Sequence, residues 1–372
     1  MENPFVISGY VSPNFFCDRE TETKLLIDSL KNGRNVTLIS PRRMGKTGLI
    51  KNVFYQLQHD ELKIPVFYMD IYSTQNLTDF TNLLANTVLG KLDTNIQKAI
   101  QRVSQFIKSC RFSFSFDELS GMPKVKLDIV ETKQQVTIQE IFEYLSSYEQ
   151  ECYFAIDEFQ QINKYSEKGV EALLRSFIQF TPNVHFIFSG SRRHLMQEMF
   201  LSPKRPFYQS TQLMNLDAIE ISKYYHFANY FFKEQNIAFP ESVFENLYRE
   251  FEGHTWYIQM ILNRLYDEKQ TVNRSQIQKI ISDIVSENEY AYQSLLITLP
   301  KGAIKLLKAI AKEDNIQATT SHTFITKYQL KASSSVSRSI KYLIDYDLVY
   351  EDAKTYTVYD RFMKIWLCNL SF

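Results

Sequence analysis

The chain has 372 residues, which suggests two or three domains, and its formal net charge at pH 7 is zero. A balanced charge means that any nucleic-acid-binding surface has to be a local basic patch. The four cysteines include no C-x-x-C pair, which argues against a zinc cluster and against a disulfide framework. The sequence shows neither a signal-peptide pattern nor an apolar stretch of the roughly 20 residues that a membrane span needs. We therefore expect a cytoplasmic protein without a membrane partner.

The first elements are predicted to alternate between helix and strand. Apolar residues recur at helical spacing over residues 19–30, and the short apolar run at 36–39 is typical of a buried parallel strand. A helical stretch then extends to about residue 58, and a second strand at 66–71 precedes a mostly helical segment at 77–107. This alternation indicates crossover connections between parallel strands.

The next segment interrupts the alternation and then resumes it. Residues 111–117 and 124–130 alternate apolar and polar side chains around a Gly-Met-Pro turn, which predicts a β-hairpin inserted at about 111–130. Three further buried strands are predicted after it, at 152–156, 184–188 and 212–216. The predicted fold class is therefore α/β, with helices on both faces of a parallel sheet.

The chain is predicted to form three domains. Residues 1–216 contain the α/β pattern, and residues 217–295 have helical periodicity almost throughout, which predicts a helical lid. Ser222 is expected to cap the first long helix of this lid. Residues 296–372 read as three helices and a strand pair, the order of a winged helix-turn-helix, with Ser333 or Ser334 expected to cap the third helix.

A phosphate-binding loop is predicted directly after the first strand. Residues 40–47 match the pattern G-x-x-x-x-G-K-[ST] at every defining position but the first, where serine replaces glycine. Backbone N–H groups ahead of a helix N-terminus bind phosphate, the lysine reaches the β and γ phosphates from an otherwise solvated loop, and the threonine hydroxyl binds Mg²⁺. We therefore predict an ATP site formed by Ser40, Pro41, Arg42, Arg43, Met44, Gly45, Lys46, Thr47 and Gly48.

Two carboxylates are predicted to complete this site. The apolar strand at 152–156 ends in Asp157 and Glu158, and a carboxylate at the end of a neighbouring strand can complete a Mg²⁺ shell. Asp157 is predicted to bind this metal together with Thr47, whereas Glu158 is placed to orient and deprotonate the attacking water. Lys46 and Glu158 are therefore predicted catalytic residues, with ATP and Mg²⁺ as cofactors.

Two arginines are predicted to sense or stabilise the γ-phosphate. Arg192 follows the strand at 184–188, at its polar exit, and is preferred over Arg193 for this role. Arg205 lies in a Pro-flanked loop from which it can serve a neighbouring subunit, which makes an oligomer possible. For Arg192 and Arg193, the alternative interpretation is a basic loop that faces solvent.

Taken together, these residues resemble the archaeal-type ATPases of the STAND branch of AAA+-related P-loop NTPases, over nearly the whole chain. The paired arginines and the G-K-T of the loop are close to that family's loop, and residues 11–20 look like its entry motif. In relatives this entry segment borders the adenine, so the resemblance implies nucleotide contacts for Phe16 and Arg19.

The lid and the C-terminus carry further parts of the resemblance. Residues 252–257 look like the family's Gly-x-Pro lid motif, although Thr255 replaces the proline. Residues 358–367 are similar to its closing Tyr-x-x-x-Asp-Pro-x-Phe-x-x-Trp pattern, although Arg361 replaces the proline. The resemblance implies a nucleotide-gated switch that holds ATP between core and lid and turns over slowly.

The sequence predicts the binding partner of the winged helix less clearly. Residues 291–372 contain 11 basic and 7 acidic side chains, but the third helix offers only Arg338 and Lys341 as cations. Since phosphate contacts supply most of the affinity for DNA, a protein partner is slightly favoured over DNA. The alternative to an ATPase switch is a DNA-binding regulator that binds ATP with little turnover, and Glu158 favours the switch. A P-loop kinase is a third possibility, for which the sequence shows no acceptor pocket.

Overall fold

The computed structural model describes residues 3–59, 64–89, 105–116, 123–129, 133–313, 316–352 and 355–370, without the side chains of 112–116, 123–127 and 352. Predictions for residues 90–104, 117–122, 130 and 353–354 therefore lie outside the described residues. The chain forms two compact units. One unit comprises Ser8–Ile219, and the other combines Met1–Ile7 with Glu220–Phe372.

The described part of the first unit contains a five-stranded parallel sheet. In chain order its strands are β1 (Val36–Ile39), β2 (Val66–Asp70), β5 (Cys152–Asp157), β6 (Val184–Gly190) and β7 (Gln212–Asn215). Their order in the sheet is β2-β5-β6-β1-β7, and every pairing is parallel. The carboxyl ends of β1, β2, β5 and β6 therefore meet at the same edge.

Helices cover both faces of this sheet, as the α/β pattern predicts. Successive strand residues point to opposite faces, so a strand buried on both faces has to be apolar throughout. In β5, Tyr153 and Ala155 pack in one buried cluster, whereas Phe154 and Ile156 pack in the other. The first cluster includes residues of α1 (Glu20–Lys31) and α2 (Lys46–His59), and the second includes residues of α3 (Leu77–Leu89), α4 (Gln134–Ser146), α5 (Val170–Gln179) and α6 (Arg193–Leu201).

The hairpin interrupts the first unit between α3 and α4. Strands β3 (Arg111–Phe116) and β4 (Pro123–Asp128) pair antiparallel with Arg111 opposite Asp128. A 3₁₀ helix at Phe159–Lys164 follows β5 directly. Its first residue, Phe159, is fully buried, and its ring lies 4.7 Å from that of Phe188 on β6. This packing anchors the chain immediately after Glu158.

The second unit is helical with a small β-ribbon. Its first four helices are α7 (Ile221–Glu234), α8 (Glu241–Glu250), α9 (Thr255–Glu268) and α10 (Arg274–Thr298). The remaining elements are α11 (Lys301–Lys312), α12 (His322–Lys327), α13 (Ser333–Asp345), β8 (Val349–Asp352), β9 (Thr355–Val358) and α14 (Arg361–Asn369). Strands β8 and β9 pair antiparallel, as expected for a wing. The sequence patterns did not predict α14.

Two predicted helix caps are wrong. Helix α7 has Glu220 as its N-cap, and the Ser222 hydroxyl donates to the Glu220 carboxylate instead of accepting from the backbone. Helix α13 starts after Ala332, which offers no side-chain acceptor. Serine favours the N-cap position, but here each serine lies within the helix that it was expected to cap.

Candidate functional site: the loop between β1 and α2

The predicted phosphate-binding loop lies between β1 and α2, at the carboxyl edge of the sheet. Gly45 has φ of 92° and Arg43 has φ of 66°, both in the left-handed region. Gly45 adopts this conformation without the strain that a Cβ would impose, whereas Arg43 carries such strain, as backbone at binding sites often does. Ser40 is not among the residues with positive φ and is fully buried. A glycine is therefore not required at that position, which explains the departure from the pattern.

Lys46 is the first residue of α2 and is buried, contrary to the expectation that it faces a solvated loop. Its Nζ donates to the carbonyl oxygens of Ser40 at 3.0 Å and Pro41 at 3.2 Å. Burial lowers the pKa of Lys46 from its ordinary value, and the carboxylates of Glu158 and Asp157 oppose that shift. The ammonium group is thus held over the loop by backbone dipoles.

Thr47 and Asp157, the predicted metal residues, are in direct contact. The Thr47 hydroxyl donates to Oδ2 of Asp157 at 2.9 Å, and the Tyr68 hydroxyl donates to the same oxygen at 2.7 Å. Asp157 is the last residue of β5 and is buried. Hydroxyl and carboxylate oxygens are the hard ligands that Mg²⁺ prefers, so this donor set fits the metal.

Glu158 lies beside these groups in the left-handed conformation, with φ of 55°. Its own backbone N–H donates to Oδ1 of Asp157 at 3.0 Å. Its carboxylate oxygen Oε2 accepts from the Ser191 hydroxyl at 2.7 Å and from the Gln160 amide. Ser191 comes directly after β6, so the structure joins the ends of two neighbouring strands at this carboxylate.

The two predicted arginines lie in different surroundings. Arg192 immediately precedes α6, next to Ser191, and is partly buried. Arg205 donates to Asn163 at 2.5 Å and forms a salt bridge with Glu171, and its other amino group lies 3.7 Å from Glu198. None of the described contacts of Arg205 reaches the loop.

Phe16 and Arg19 approach the loop from the N-terminal segment. A Cβ on Gly48 would lie 3.2 Å from the Phe16 ring, so the two residues are in close contact. Phe16 also lines a pocket of about 420 Å³, together with residues including Thr23 and Asn52. Arg19 does not line this pocket. Its buried guanidinium donates to the carbonyl of Asp217 at 2.6 Å and to that of Met44 at 3.4 Å, which ties it to the backbone of the loop.

Sequence reasoning missed three neighbouring residues on and after β2. Tyr68 contacts Asp157, Asp70 lies opposite Asp157 in the strand register, and the Tyr72 ring lies 4.8 Å from the Arg42 guanidinium carbon. Burial raises the pKa of the Asp70 carboxyl. The sequence could have indicated Asp70 as a site residue, because it ends an apolar strand as Asp157 does. It could not have indicated Tyr68, since a tyrosine within an apolar strand indicates only a residue of the hydrophobic core.

The lid and C-terminal motifs meet within the second unit. Arg361 is buried and donates to the Glu252 carboxylate at 2.7 Å, and one of its amino nitrogens lies 3.4 Å from Nε2 of His254. Its backbone N–H donates to the Tyr257 hydroxyl at 3.0 Å. Arg361, which replaces one of the two family prolines, therefore lies in a polar network that joins the residues around the start of α9 to the start of α14.

The sheet order, the loop between β1 and α2, and the C-terminal winged helix define this protein as a P-loop NTPase with an appended winged helix domain. The chain belongs to the family described as "ATPase domain predominantly from Archaea", whose model matches residues 16–261. A second model, described as "probable winged helix domain", matches residues 290–369. The resemblance to archaeal-type ATPases is thereby confirmed. No curated protein matches the chain in sequence.

Solved structures with the same fold cover almost the whole chain. A Walker-type ATPase of Pyrococcus abyssi is 18% identical with a TM-score of 0.65, over 98% of this chain and 99% of that one. The ORC2 protein of Aeropyrum pernix, in ADPNP–ADP complexes, is 14% identical with a TM-score of 0.60, over 98% and 95% of the two chains. The ORC1 protein of the same organism, in complex with DNA, is 14% identical with a TM-score of 0.58, over 98% and 96%. Within the described part of the chain, no helix combines the length and apolar character that crossing a membrane requires.

Proposed function

We propose that this protein binds and slowly hydrolyses ATP in a Mg²⁺-dependent reaction, and that the bound nucleotide acts as a switch for the winged helix. One observation carries the proposal. The first turn of α2 meets the end of β5 at a 2.9 Å contact between Thr47 Oγ1 and Asp157 Oδ2, with the Lys46 ammonium group on the same turn. A metal-binding pair beside a phosphate-binding lysine is the arrangement that nucleotide hydrolysis requires.

Different residues around the loop would contact the phosphates, the Mg²⁺ ion and the base of ATP. The Lys46 ammonium, now bonded to the Ser40 and Pro41 carbonyls, would exchange those partners for phosphate oxygens. Thr47 and Asp157 would hold Mg²⁺, which supplies charge neutralisation at the phosphates. The close contact of the Phe16 ring with Gly48 supports a base contact for Phe16, whereas the bonds of Arg19 to Met44 and Asp217 support a positioning role.

Glu158 is the proposed general base. To act on water, its carboxylate has to be accessible, yet Oε2 accepts hydrogen bonds from Ser191 and Gln160. Because two donors occupy this oxygen, it is less accessible to a water molecule, which supports slow turnover until a rearrangement releases it. Arg192, beside Ser191, is the proposed sensor of the γ-phosphate. For Arg205 we propose a supporting role in hydrolysis.

The second candidate function is a DNA-binding regulator that binds ATP with little turnover. The two hydrogen bonds that occupy Glu158 are the observation in its favour. The two functions predict different kinetics for the same purified protein.

ATP turnover by the full chain, with and without duplex DNA, separates these functions. We expect measurable Mg²⁺-dependent turnover that Lys46→Ala abolishes together with ATP binding. Binding without turnover in either condition would favour the regulator. Unchanged ATP affinity in Lys46→Ala would contradict the assignment of the loop and with it both functions.

A further inference from the structure

A pocket in the second unit lies between the start of α11, the turn before α13 and the first two turns of α13. Its volume is about 250 Å³. Three lysines line it, Lys301, Lys305 and Lys331, together with the hydroxyl-bearing Ser335 and Ser339. No carboxylate is among its lining residues. We call this feature the lysine pocket.

The lysine pocket is part of the folded framework of the domain. Its floor includes Leu306 of α11 and Val336 of α13, both buried. The two helices are close together at Gly302, where a Cβ would lie in van der Waals contact with the Ser339 hydroxyl, at 3.4 Å. The Lys305 amine donates to the Gln329 carbonyl at 2.8 Å, which fastens the turn that leads into α13.

The electrostatics of the pocket favour an anion. Among the described residues, no carboxylate lies within salt-bridge distance of the three lysine amines. Helices α11 and α13 both begin here, after Pro300 and Ala332, and neither has a side-chain N-cap. An uncapped helix start carries partial positive charge and N–H donors without partners in the helix. Three lysines and two helix starts therefore border one cavity.

We propose that the lysine pocket binds a backbone phosphate of duplex DNA. Lysine ammonium groups bind phosphate oxygens as compact point charges, as the phosphate-loop lysine does. In a winged helix-turn-helix the third helix enters the major groove, and contacts between helix N-termini and phosphates set its register on the duplex. Helix α13 is this third helix, and the pocket lies at its N-terminal end.

The lysine pocket also increases the positive charge near α13 that could contact DNA. Considered alone, α13 offers Arg338 and Lys341, which is a small electrostatic footprint. The fold adds three lysines from α11 and from the turn before α13, residues that sequence reasoning did not connect with the third helix. This proposal concerns the winged helix alone and does not depend on ATP hydrolysis.

The test compares two charge-matched double variants of the full chain. Lys301→Gln with Lys331→Gln removes two pocket charges and leaves Lys305, whose amine fastens the turn. Lys233→Gln with Lys279→Gln removes the same charge from exposed lysines on α7 and α10 of the same unit. Fluorescence anisotropy with a labelled short duplex, across a series of salt concentrations, measures affinity and the slope of log K against log salt.

We expect the pocket variant to bind the duplex about tenfold more weakly at low salt, with a slope reduced by about one, the change for one phosphate contact. The control variant should bind within about twofold of wild type, because neither of its two lysines lines the pocket. Lys301→Arg with Lys331→Arg keeps the charge and should retain most of the affinity. Thermal melts of all variants show whether a loss of binding reflects unfolding.

Any of three outcomes would overturn the proposal. The first is a wild-type protein that does not bind duplex DNA. The second is a folded pocket variant that binds duplex DNA as tightly as the control variant does. The third is pocket-dependent binding of polyglutamate without binding of DNA, which would assign the pocket to acidic protein segments.

Discussion

Tyr68 donates a hydrogen bond to Asp157 across the β2–β5 pair, with 2.7 Å between its hydroxyl and Oδ2. The same oxygen accepts from Thr47 at 2.9 Å, so two hydroxyls fix one carboxylate oxygen beside the P-loop. Burial raises the pKa of Tyr68, and the charge of Asp157 adds to this effect. The phenol therefore stays protonated at neutral pH and remains a donor.

Tyr68→Phe should loosen the Asp157 carboxylate without removing it. We expect the unfolding free energy to fall by about 1 kcal/mol, the usual net worth of a hydrogen bond. The Mg²⁺ concentration for half-maximal ATP turnover should rise severalfold, because the oxygen proposed to bind the metal is less well positioned. A Mg²⁺ titration of turnover measures this. Tyr153→Phe is the matched control, since its hydroxyl bonds to Glu151 and not to Asp157. An identical Mg²⁺ dependence in both variants would contradict the positioning role.

Glu158→Gln and Asp157→Asn should differ in which step they impair. Glu158→Gln removes the proposed base, so it should bind Mg²⁺ and ATP normally but hydrolyse at least tenfold more slowly, since general-base catalysis contributes about 10²–10⁴. Asp157→Asn should instead weaken the Mg²⁺-dependent part of ATP binding. Equilibrium binding and single-turnover kinetics on both variants separate the effects. Matching defects in both would show that the proposed division of labour is wrong.

Arg192→Ala should slow hydrolysis more than it weakens binding. Charge on the γ-phosphoryl oxygens grows in the transition state, where a guanidinium acts most strongly. We expect a fall in turnover with ATP affinity changed by less than about threefold. Arg193→Ala, one residue further into α6, is the control. Full turnover in Arg192→Ala would remove it from the mechanism.

Arg205→Ala should affect stability as well as hydrolysis. It leaves the partly buried Glu171 without its ionic partner, which should cost about 1–3 kcal/mol of unfolding free energy. Burial raises the pKa of Glu171 while Arg205 opposes this, so the pKa should rise further in the variant. The folded state then holds a proton that the unfolded state releases, so the stability deficit should shrink as the pH falls. Chemical unfolding at several pH values tests the sign.

A second substitution separates the two effects of Arg205. Arg205→Ala combined with Glu171→Gln should recover much of the lost stability, because no unpaired carboxylate remains. If Arg205 also assists hydrolysis, the turnover of the double variant should stay low. Recovery of both quantities together would limit Arg205 to a structural role.

The affinity for ATP should begin to fall at a lower pH than it would if Lys46 had the pKa of an ordinary lysine. Burial lowers the pKa of Lys46, so in the nucleotide-free protein the amine loses its proton below the usual value of about 10.4. Phosphate binding favours the charged form, so binding above the lowered pKa requires proton uptake and weakens by up to about tenfold per pH unit. ATP titrations from neutral to alkaline pH measure this. Lys51→Gln, a change on the same helix, should keep the dependence, and a flat profile in wild type would contradict it.

Local patterns were sufficient to predict the sheet and the P-loop. Strands β1, β2, β5 and β6 are largely apolar because both of their faces are buried, as Cys152–Asp157 illustrates. The prediction of a buried strand at 212–216 is only partly correct, because in β7 (Gln212–Asn215) Met214 alone is buried. The spacing of Gly45, Lys46 and Thr47 predicts a strand–loop–helix unit that depends only on neighbouring residues. The predicted caps at Ser222 and at Ser333 or Ser334 are wrong because these serines lie inside the first turns of their helices, so residue type alone does not fix a helix boundary.

Only the tertiary structure decided which distant side chains share a site. Tyr68 reaches Asp157, and Ser191 reaches Glu158, because strands far apart in the chain are neighbours in the sheet. In the same way, α11 brings Lys301 and Lys305 to the start of α13, although more than twenty residues separate them from it. Periodicity reports which face of a segment is buried, but it carries no information on which segment lies against it. Which segments lie against each other depends on how whole helices and strands pack, and this packing sets the sheet order and the contacts between helices.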